Sequence, residues 1–169
     1  MVLKIVKYPD PVLETPCDPV SQFNDELRQF ADDMFETMYA AQGVGLAAPQ
    51  VDRPIRLTVM DVSVQQDPAL KMVLVNPEVI HTEGKQRGPE GCLSIPDFRE
   101  EVTRAMQCTV RAQDLEGKFF EITGQELLAR CMLHEIDHLN GILFLKHISV
   151  LKRDMIRRKI KKLIKKGEW

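Results

Sequence analysis

The sequence has no apolar run long enough to span a bilayer, and its first residues carry no signal-peptide pattern. The opening Met-Val-Leu-Lys-Ile-Val-Lys is too short and too polar for either. These absences predict a cytoplasmic protein with no membrane partner. Internal repeats and low-complexity segments are also absent, and a chain of 169 residues can form one domain that needs no disulfides.

The four cysteines include no Cys-x-x-Cys pair. In a reducing cytoplasm most of them are expected to be free and buried, where they behave as small hydrophobic residues. At least one of them could instead be a metal ligand.

The net charge of −2 conceals an uneven distribution. Residues 150–169 contain nine basic and two acidic side chains, which gives this segment a net charge of +7 and the rest of the chain −9. A basic tail on an acidic body predicts a polyanionic partner without saying which one.

Apolar spacing predicts three helices, over residues 24–40, 123–141 and 149–166. Thr123 and Glu126 have capping-box spacing at the start of the second helix, and Gly141 is placed to end it. A high content of β-branched and large apolar residues predicts strands over residues 55–62 and 72–76. Alternation of apolar and polar residues predicts two more, over 100–112 and 117–123. This combination indicates an α+β domain.

Two of these helices have a clear apolar stripe at spacings of three and four. In the first helix the stripe consists of Leu27, Phe30, Ala31, Met34 and Met38. In the last helix it consists of Leu151, Ile156, Ile160, Leu163 and Ile164. Each stripe is expected to face the core.

The second helix contains the stretch HEIDH at residues 134–138. On a helix His134 and His138 lie one turn apart on the same face, so both can bind one ion. Glu135 beside them is suited to take a proton from water activated by that ion.

A catalytic ion of this type needs a third protein ligand and one open position. The downstream candidates are His147, Asp154 and Glu168, and none of them is well placed by the sequence pattern. Upstream, Cys92 lies in the compact stretch EGCLSIP, where glycine permits a close backbone approach and the thiolate is a strong soft ligand. A buried, unreactive thiol is the alternative for Cys92.

Three stretches in order resemble the peptide deformylase family: GVGLAAPQ at 43–50, EGCLSIP at 90–96 and HEIDH at 134–138. The resemblance extends to the opening YPDPVL and to the first helix. It implies mixed or antiparallel sheets around a central metal-binding helix, with an N-terminal helix and a basic amphipathic C-terminal helix. Residues 1–149 would form the catalytic domain, and residues 150–169 the appended basic helix.

The resemblance also implies the site. Cys92, His134 and His138 would hold one divalent ion, physiologically Fe²⁺, with Zn²⁺, Ni²⁺ or Co²⁺ able to replace it. From ligand chemistry alone zinc would be the first choice, so iron rests on the resemblance.

The implied reaction removes the N-formyl group from the first methionine of nascent polypeptides and releases formate. Water activated by the ion attacks the formyl carbon, with Glu135 as general base and then general acid. The backbone N–H of Leu93 and the side-chain amide of Gln50 would stabilise the developing oxyanion.

For substrate binding the resemblance implies main-chain contacts with Gly45 and a methionine pocket formed by Val44, Leu127 and Cys131. Core packing is an equally good interpretation of Leu127. Gly88 and Arg130 depart from the apolar residues found in some relatives, so the rim of the pocket is expected to differ.

Polar residues near the motifs have two interpretations. Glu90 and Arg104 could brace the metal loop, and Asp137 could pair with an arginine. Surface solvation is the favoured interpretation for any one of them alone. His147 is predicted to be structural or exposed, and Ser94 to be a loop residue.

The basic last helix could simply be solvated, or could lie on a membrane surface. The resemblance implies docking to the ribosome near the tunnel exit, where RNA phosphates would attract it. The chain is predicted to be a monomer. Two rival functions stay open: an HExxH metallopeptidase, and a non-catalytic RNA-binding or ribosome-binding module in which the metal only stabilises the fold.

Overall fold

The structure is a computed structural model that describes every residue from Met1 to Trp169. It contains three α-helices and seven β-strands. The helices are α1 (Asp25–Ala40), α2 (Glu126–Leu139) and α3 (Val150–Lys165). The strands are β1 (Gly45–Ala47), β2 (Leu57–Asp61), β3 (Lys71–Glu83), β4 (Gln86–Cys92), β5 (Ile95–Arg104), β6 (Gln107–Gln113) and β7 (Phe119–Gln125).

The strands form two separate sheets in which every pairing is antiparallel. The larger sheet has five strands in the order β1-β2-β3-β6-β7, and β4 pairs with β5 as a separate hairpin. Helix α2 packs against both sheets. The predicted α+β class is therefore confirmed.

One strand prediction is wrong in its bounds. The segment 100–112 is not a single strand, because β5 ends at Arg104 and β6 begins at Gln107. The chain turns between them and passes from the small hairpin to the large sheet. The predicted turn around Gly117 is present, with φ at +84° between β6 and β7.

Helix α1 begins where the Asn24 side chain accepts a hydrogen bond from the backbone N–H of Leu27 at 3.0 Å. This cap satisfies one of the free donors at the helix start. The whole predicted apolar stripe of α1 is buried, in one cluster with residues of β1 and β2. The helix thereby holds β1, which lies within the GVGLAAPQ motif.

The predicted capping box of α2 is wrong. Thr123 lies in β7, where its hydroxyl is 2.8 Å from that of Thr109 on β6, and Gln125 caps α2 without a side-chain hydrogen bond. Pairing in the sheet overrides the local capping pattern. The other end is as predicted: Gly141 has φ of +74°, and a Cβ there would lie 2.8 Å from the backbone of Glu14.

Helix α3 is capped by Ser149, whose Oγ accepts from the backbone N–H of Lys152 at 3.2 Å. Only part of its predicted stripe is buried. Ile156 and Ile160 join a core cluster that includes Leu13 and Phe144, whereas Leu151 is 71% exposed. The basic helix is thus fixed to the body by two isoleucines. None of the helices has the length and apolar character needed to cross a membrane.

Candidate metal centre

The second and third motifs meet at one point, where three possible ligand atoms converge. His134 and His138 project from one face of α2, with their Nε2 atoms 3.1 Å apart. Cys92, at the end of β4, brings its Sγ to 3.4 Å from His138 Nε2. All three ligand atoms lie within 4.8 Å of one another.

This donor set suits one divalent transition metal ion. Metal–sulfur and metal–nitrogen bonds of about 2.0–2.3 Å allow a single ion to reach atoms this close together. A thiolate and two imidazoles are ligands for Zn²⁺ and Fe²⁺, and not for Mg²⁺ or Ca²⁺. The downstream candidate His147 points elsewhere, since its Nε2 lies 2.8 Å from Asp137 Oδ2.

Glu90 is the buried group that orients the first histidine. Its carboxylate accepts from His134 Nδ1, and Arg104 binds it through Nη2 at 2.6 Å and Nε at 3.1 Å. Arg130 Nη1 adds a further bond at 2.8 Å. Burial alone would raise the pKa of Glu90, but the bonds from His134 and Arg104 outweigh it and hold that pKa well below its usual range.

Arg104 extends this network away from the metal centre. Its Nη1 donates to Asp137 Oδ2 at 2.6 Å, and Asp137 in turn holds His147. Surface solvation is therefore the wrong interpretation for Glu90 and Arg104, which are only 5% and 7% exposed. Asp137 pairs with Arg104, which is the less favoured of its two interpretations from the sequence.

The two histidines differ in their surroundings. Burial disfavours the charged ring in both. In His134 the hydrogen bonds with Cys92 and Glu90 reverse that effect and raise its pKa well above the usual value. In His138 burial and the nearby charge of His134 both lower the pKa. The neutral ring that a metal ligand needs is thus already favoured at His138.

Glu135 lies beside the ligands without pairing with an arginine. It is 4% exposed, its Oε1 is 4.0 Å from His134 Nε2, and its Oε2 has no hydrogen-bond partner in the chain. Burial raises the pKa of Glu135 to about 7. A carboxylate in this state can take up and release a proton near neutral pH.

The GVGLAAPQ motif approaches this carboxylate closely. A Cβ on Gly45 would lie 2.7 Å from Glu135 Oε1 and 2.9 Å from Cys131 Sγ. Only glycine leaves room for both groups here. The backbone of β1 can therefore run directly beside the metal centre.

Gln50 closes the site from the end of the same motif. Its Oε1 accepts from the backbone N–H of Ala47 at 3.0 Å, which fixes the amide so that Nε2 faces Ser94 Oγ at 3.1 Å and Cys92 Sγ at 3.5 Å. Ser94 lies in the turn between β4 and β5, as predicted, and is fully buried. Leu93 lies between Cys92 and Ser94, and its backbone N–H donates to no backbone acceptor.

A cavity of about 720 Å³ opens over these groups. Its lining includes all four residues predicted to bind substrate, namely Val44, Gly45, Leu127 and Cys131. Leu127 is 51% exposed, so core packing is the wrong interpretation for it. The Cys131 thiol is 3.6 Å from the carbonyl oxygen of Val44, and burial raises its pKa well above the usual value.

Arg130 has a structural task that the sequence pattern did not reveal. It lies on the buried side of α2 and donates through Nη1 to Glu90 and to the carbonyl oxygen of Val102 at 2.9 Å. A Cβ on Gly88 would sit 3.4 Å from Arg130 Nη2, which is an ordinary van der Waals distance. The two departures therefore lie next to each other, but the guanidinium does not require a glycine at position 88.

Comparisons with known proteins identify relatives over nearly the whole chain. A family model described as "Polypeptide deformylase" matches residues 2–154. The chain is 58% identical over 169 residues to a peptide deformylase of Acidobacterium capsulatum, covering 100% of this chain and 99% of that protein. It is 49% identical over 166 residues to the peptide deformylase of Alkalilimnicola ehrlichii, covering 98% of this chain and 93% of that protein.

Solved structures of peptide deformylases share the fold of this chain. The crystal structure of a peptide deformylase from Legionella pneumophila superimposes with a TM-score of 0.92 at 46% identity, covering 99% of this chain and 98% of that one. A peptide deformylase from Synechococcus elongatus in complex with actinonin has a TM-score of 0.87 at 40% identity, covering 98% of this chain and 88% of that one.

Proposed function

The chain belongs to the polypeptide deformylase family, and from that premise we propose that it uses one divalent metal ion to remove the N-formyl group from the first methionine of nascent polypeptides. Such a chain is a hydrolase that acts on a linear amide and releases formate. The observation that supports the metal-dependent part is the convergence of Cys92, His134 and His138, of which Cys92 and His134 line a large cavity.

The reaction needs an activated water, a proton carrier and an oxyanion site. A divalent ion, when bound, supplies Lewis acidity that lowers the pKa of a water molecule toward neutrality. Glu135 takes the proton from the attacking water and later delivers it to the departing nitrogen. Its buried, unpaired Oε2 supports this role.

Hydrogen-bond donors that are already fixed in place would stabilise the oxyanion of the intermediate. Gln50 Nε2 is held by the bond between its own Oε1 and Ala47, and the backbone N–H of Leu93 is free to donate. Both residues adjoin Cys92, so their donors lie beside the proposed ion. No side chain has to reorganise at the moment of reaction.

The substrate's first side chain is proposed to enter the cavity between Val44, Leu127 and Cys131. These residues present an apolar surface that fits the methionine side chain. The backbone of Gly45, which lines the cavity, would pair with the peptide. Leu127, half open to solvent, would become covered when the side chain enters.

The metallopeptidase alternative is not favoured, because its downstream ligand is missing: His147 is held by Asp137 and lies outside the ligand group. The non-catalytic alternative is also disfavoured. A purely structural ion is usually enclosed by four protein ligands, whereas three converge here and a cavity opens beside them.

Formate release from a formyl-Met tripeptide tests the proposal. We expect the anaerobically purified, Fe²⁺-loaded enzyme to release formate, chelation to abolish the release, and Fe²⁺ to restore it. The matched acetyl-Met tripeptide is the control and should release little acetate. Metal-loaded protein that leaves the formyl peptide intact, or cleaves internal bonds of unformylated peptides, contradicts the proposal.

We propose Fe²⁺ as the physiological ion, from the family resemblance and a donor set that Fe²⁺ tolerates. Zn²⁺, Ni²⁺ and Co²⁺ can occupy the same three ligands. Metal analysis of protein prepared with and without oxygen identifies the ion. We also propose that the enzyme is a cytoplasmic monomer, which its mass in solution and cell fractionation would test.

The basic helix is proposed to dock the enzyme to the ribosome. Lys161, Lys162 and Lys165 are exposed on α3 and are available to RNA phosphates. Removing the helix is a poor test, because it would uncover the cluster that buries Ile156 and Ile160. Replacing the three exposed cations by glutamate should weaken co-sedimentation with ribosomes at least about tenfold. Unchanged co-sedimentation, with activity on free peptide intact, rejects the docking proposal.

A further inference from the structure

A second, smaller cavity of about 70 Å³ lies between the N-terminal segment, the loop after α2 and helix α3, and none of Cys92, His134 and His138 lines it. Three cationic residues line it: Lys146, Arg153 and Arg157. Glu14 is the one acidic residue in its lining. The lining therefore carries a net positive charge.

The chain supplies almost no partners for these cations. None of the three makes a salt bridge. The one side-chain bond among them runs from Arg157 Nε to the hydroxyl of Tyr8, at 3.0 Å. Arg153 is half-buried, and its Nε is fully buried with no acceptor in the chain. Burying a guanidinium donor without an acceptor is unfavourable, so this cavity calls for an anionic ligand.

We propose that this cavity binds the oxyanion of a phosphate group. Arg153 and Arg157 are four residues apart on α3, so both guanidinium groups can face one ligand. Guanidinium forks and an ammonium are the groups that proteins use to bind phosphate. The small volume admits a group of a few heavy atoms, and phosphate has enough oxygens to serve three cations at once.

An anion bound in this cavity would stabilise the fold independently of the deformylase reaction. Lys146 belongs to the segment before α3, and Tyr8 to the N-terminal segment, so an anion here would join α3 to the body of the protein. Lys146 and Arg157 are exposed, which leaves the site open from solvent. Phosphate should therefore stabilise the folded enzyme.

Thermal unfolding of the metal-loaded enzyme tests this, with phosphate compared to chloride at equal ionic strength. At ten times the dissociation constant, inorganic phosphate should raise Tm by about 3–5 °C. The Arg153→Met variant should lose this shift. Arg158→Met is the matched control: it makes the same change on the same helix, but Arg158 does not line the cavity, and its shift should persist.

A second measurement separates two sources of phosphate, the free anion and the RNA backbone. It follows the fluorescence anisotropy of a labelled RNA hairpin. If Arg153→Met weakens RNA binding at least about threefold more than Arg158→Met, the ligand is a backbone phosphodiester. If both variants bind RNA equally while only Arg153→Met loses the thermal shift, the ligand is free phosphate. A wild-type enzyme without a phosphate-specific shift, or an Arg153→Met variant that keeps it, overturns the proposal.

Discussion

Replacing Glu135 by glutamine is expected to lower the rate of formyl removal by about 10²–10⁴-fold while metal binding is retained. Glutamine keeps the shape of the side chain but cannot accept the proton. The carboxylate lies 4.0 Å from His134 Nε2 and is confined by Gly45 and Cys131, so the amide should occupy the same space. A fall of this size in the turnover rate, with metal binding unchanged, indicates that the group that carries the proton has been lost.

The measurement is formate release at saturating formyl-Met peptide, together with the metal content of each preparation. Glu126→Gln is the matched control, because Glu126 is exposed at the start of the same helix and lies outside the cavity lining. It should keep the parent rate within about twofold, as exposed substitutions usually do. A Glu135→Gln enzyme with full metal and more than about a tenth of the parent rate would exclude Glu135 as the proton carrier.

Much of this architecture could be predicted from the sequence because its signals are local. The stripe of α1 repeats every three or four residues, and the whole stripe is buried. HEIDH on a helix fixes the relative position of His134 and His138 by helical geometry alone. Ser149 and Gly141 mark helix ends through the same short-range chemistry.

Other features depend on contacts between distant residues and were inaccessible to pattern analysis. Threonine often caps a helix, but Thr123 lies in β7, where it pairs with Thr109 of β6. Arg104 and Arg130 sit on different elements and meet only at Glu90. The bond from Gln50 to Ser94 joins residues 44 positions apart. The contacts of Glu90 with Arg130 and of Gln50 with Ser94 exist only once the β4–β5 hairpin has packed against the rest of the fold.

Cys92 lies between the features that local patterns predict and those that depend on distant contacts. The residues alone left it open whether the third ligand lay upstream or downstream of the histidines. The resemblance pointed to Cys92, and the structure places its Sγ within 4.8 Å of both histidine ligand atoms. Identifying this long-range candidate ligand thus needed the family pattern, because spacing in the chain carries no information about it.

Glu90→Gln is expected to destabilise the folded protein by about 3–5 kcal/mol, the usual range for removing one partner of a buried ion pair. The substitution leaves Arg104 and Arg130 facing an amide, and one of its hydrogens would point toward a guanidinium. It also weakens the bond that orients His134, so metal affinity should fall by about 10–100-fold.

Urea unfolding of the metal-free and metal-loaded forms separates these two effects. In the metal-free form the loss of unfolding free energy reports on the buried network alone, and the additional loss in the loaded form reports on metal affinity. Glu101→Gln is the matched control: Glu101 is exposed on β5 of the same hairpin, so its unfolding free energy should stay within about 0.5 kcal/mol of the parent. If Glu90→Gln were as stable as this control, the buried carboxylate would not hold the hairpin on α2. The orientation of His134 would then be set by packing, since its ring also stacks on Phe144 with centroids 6.5 Å apart.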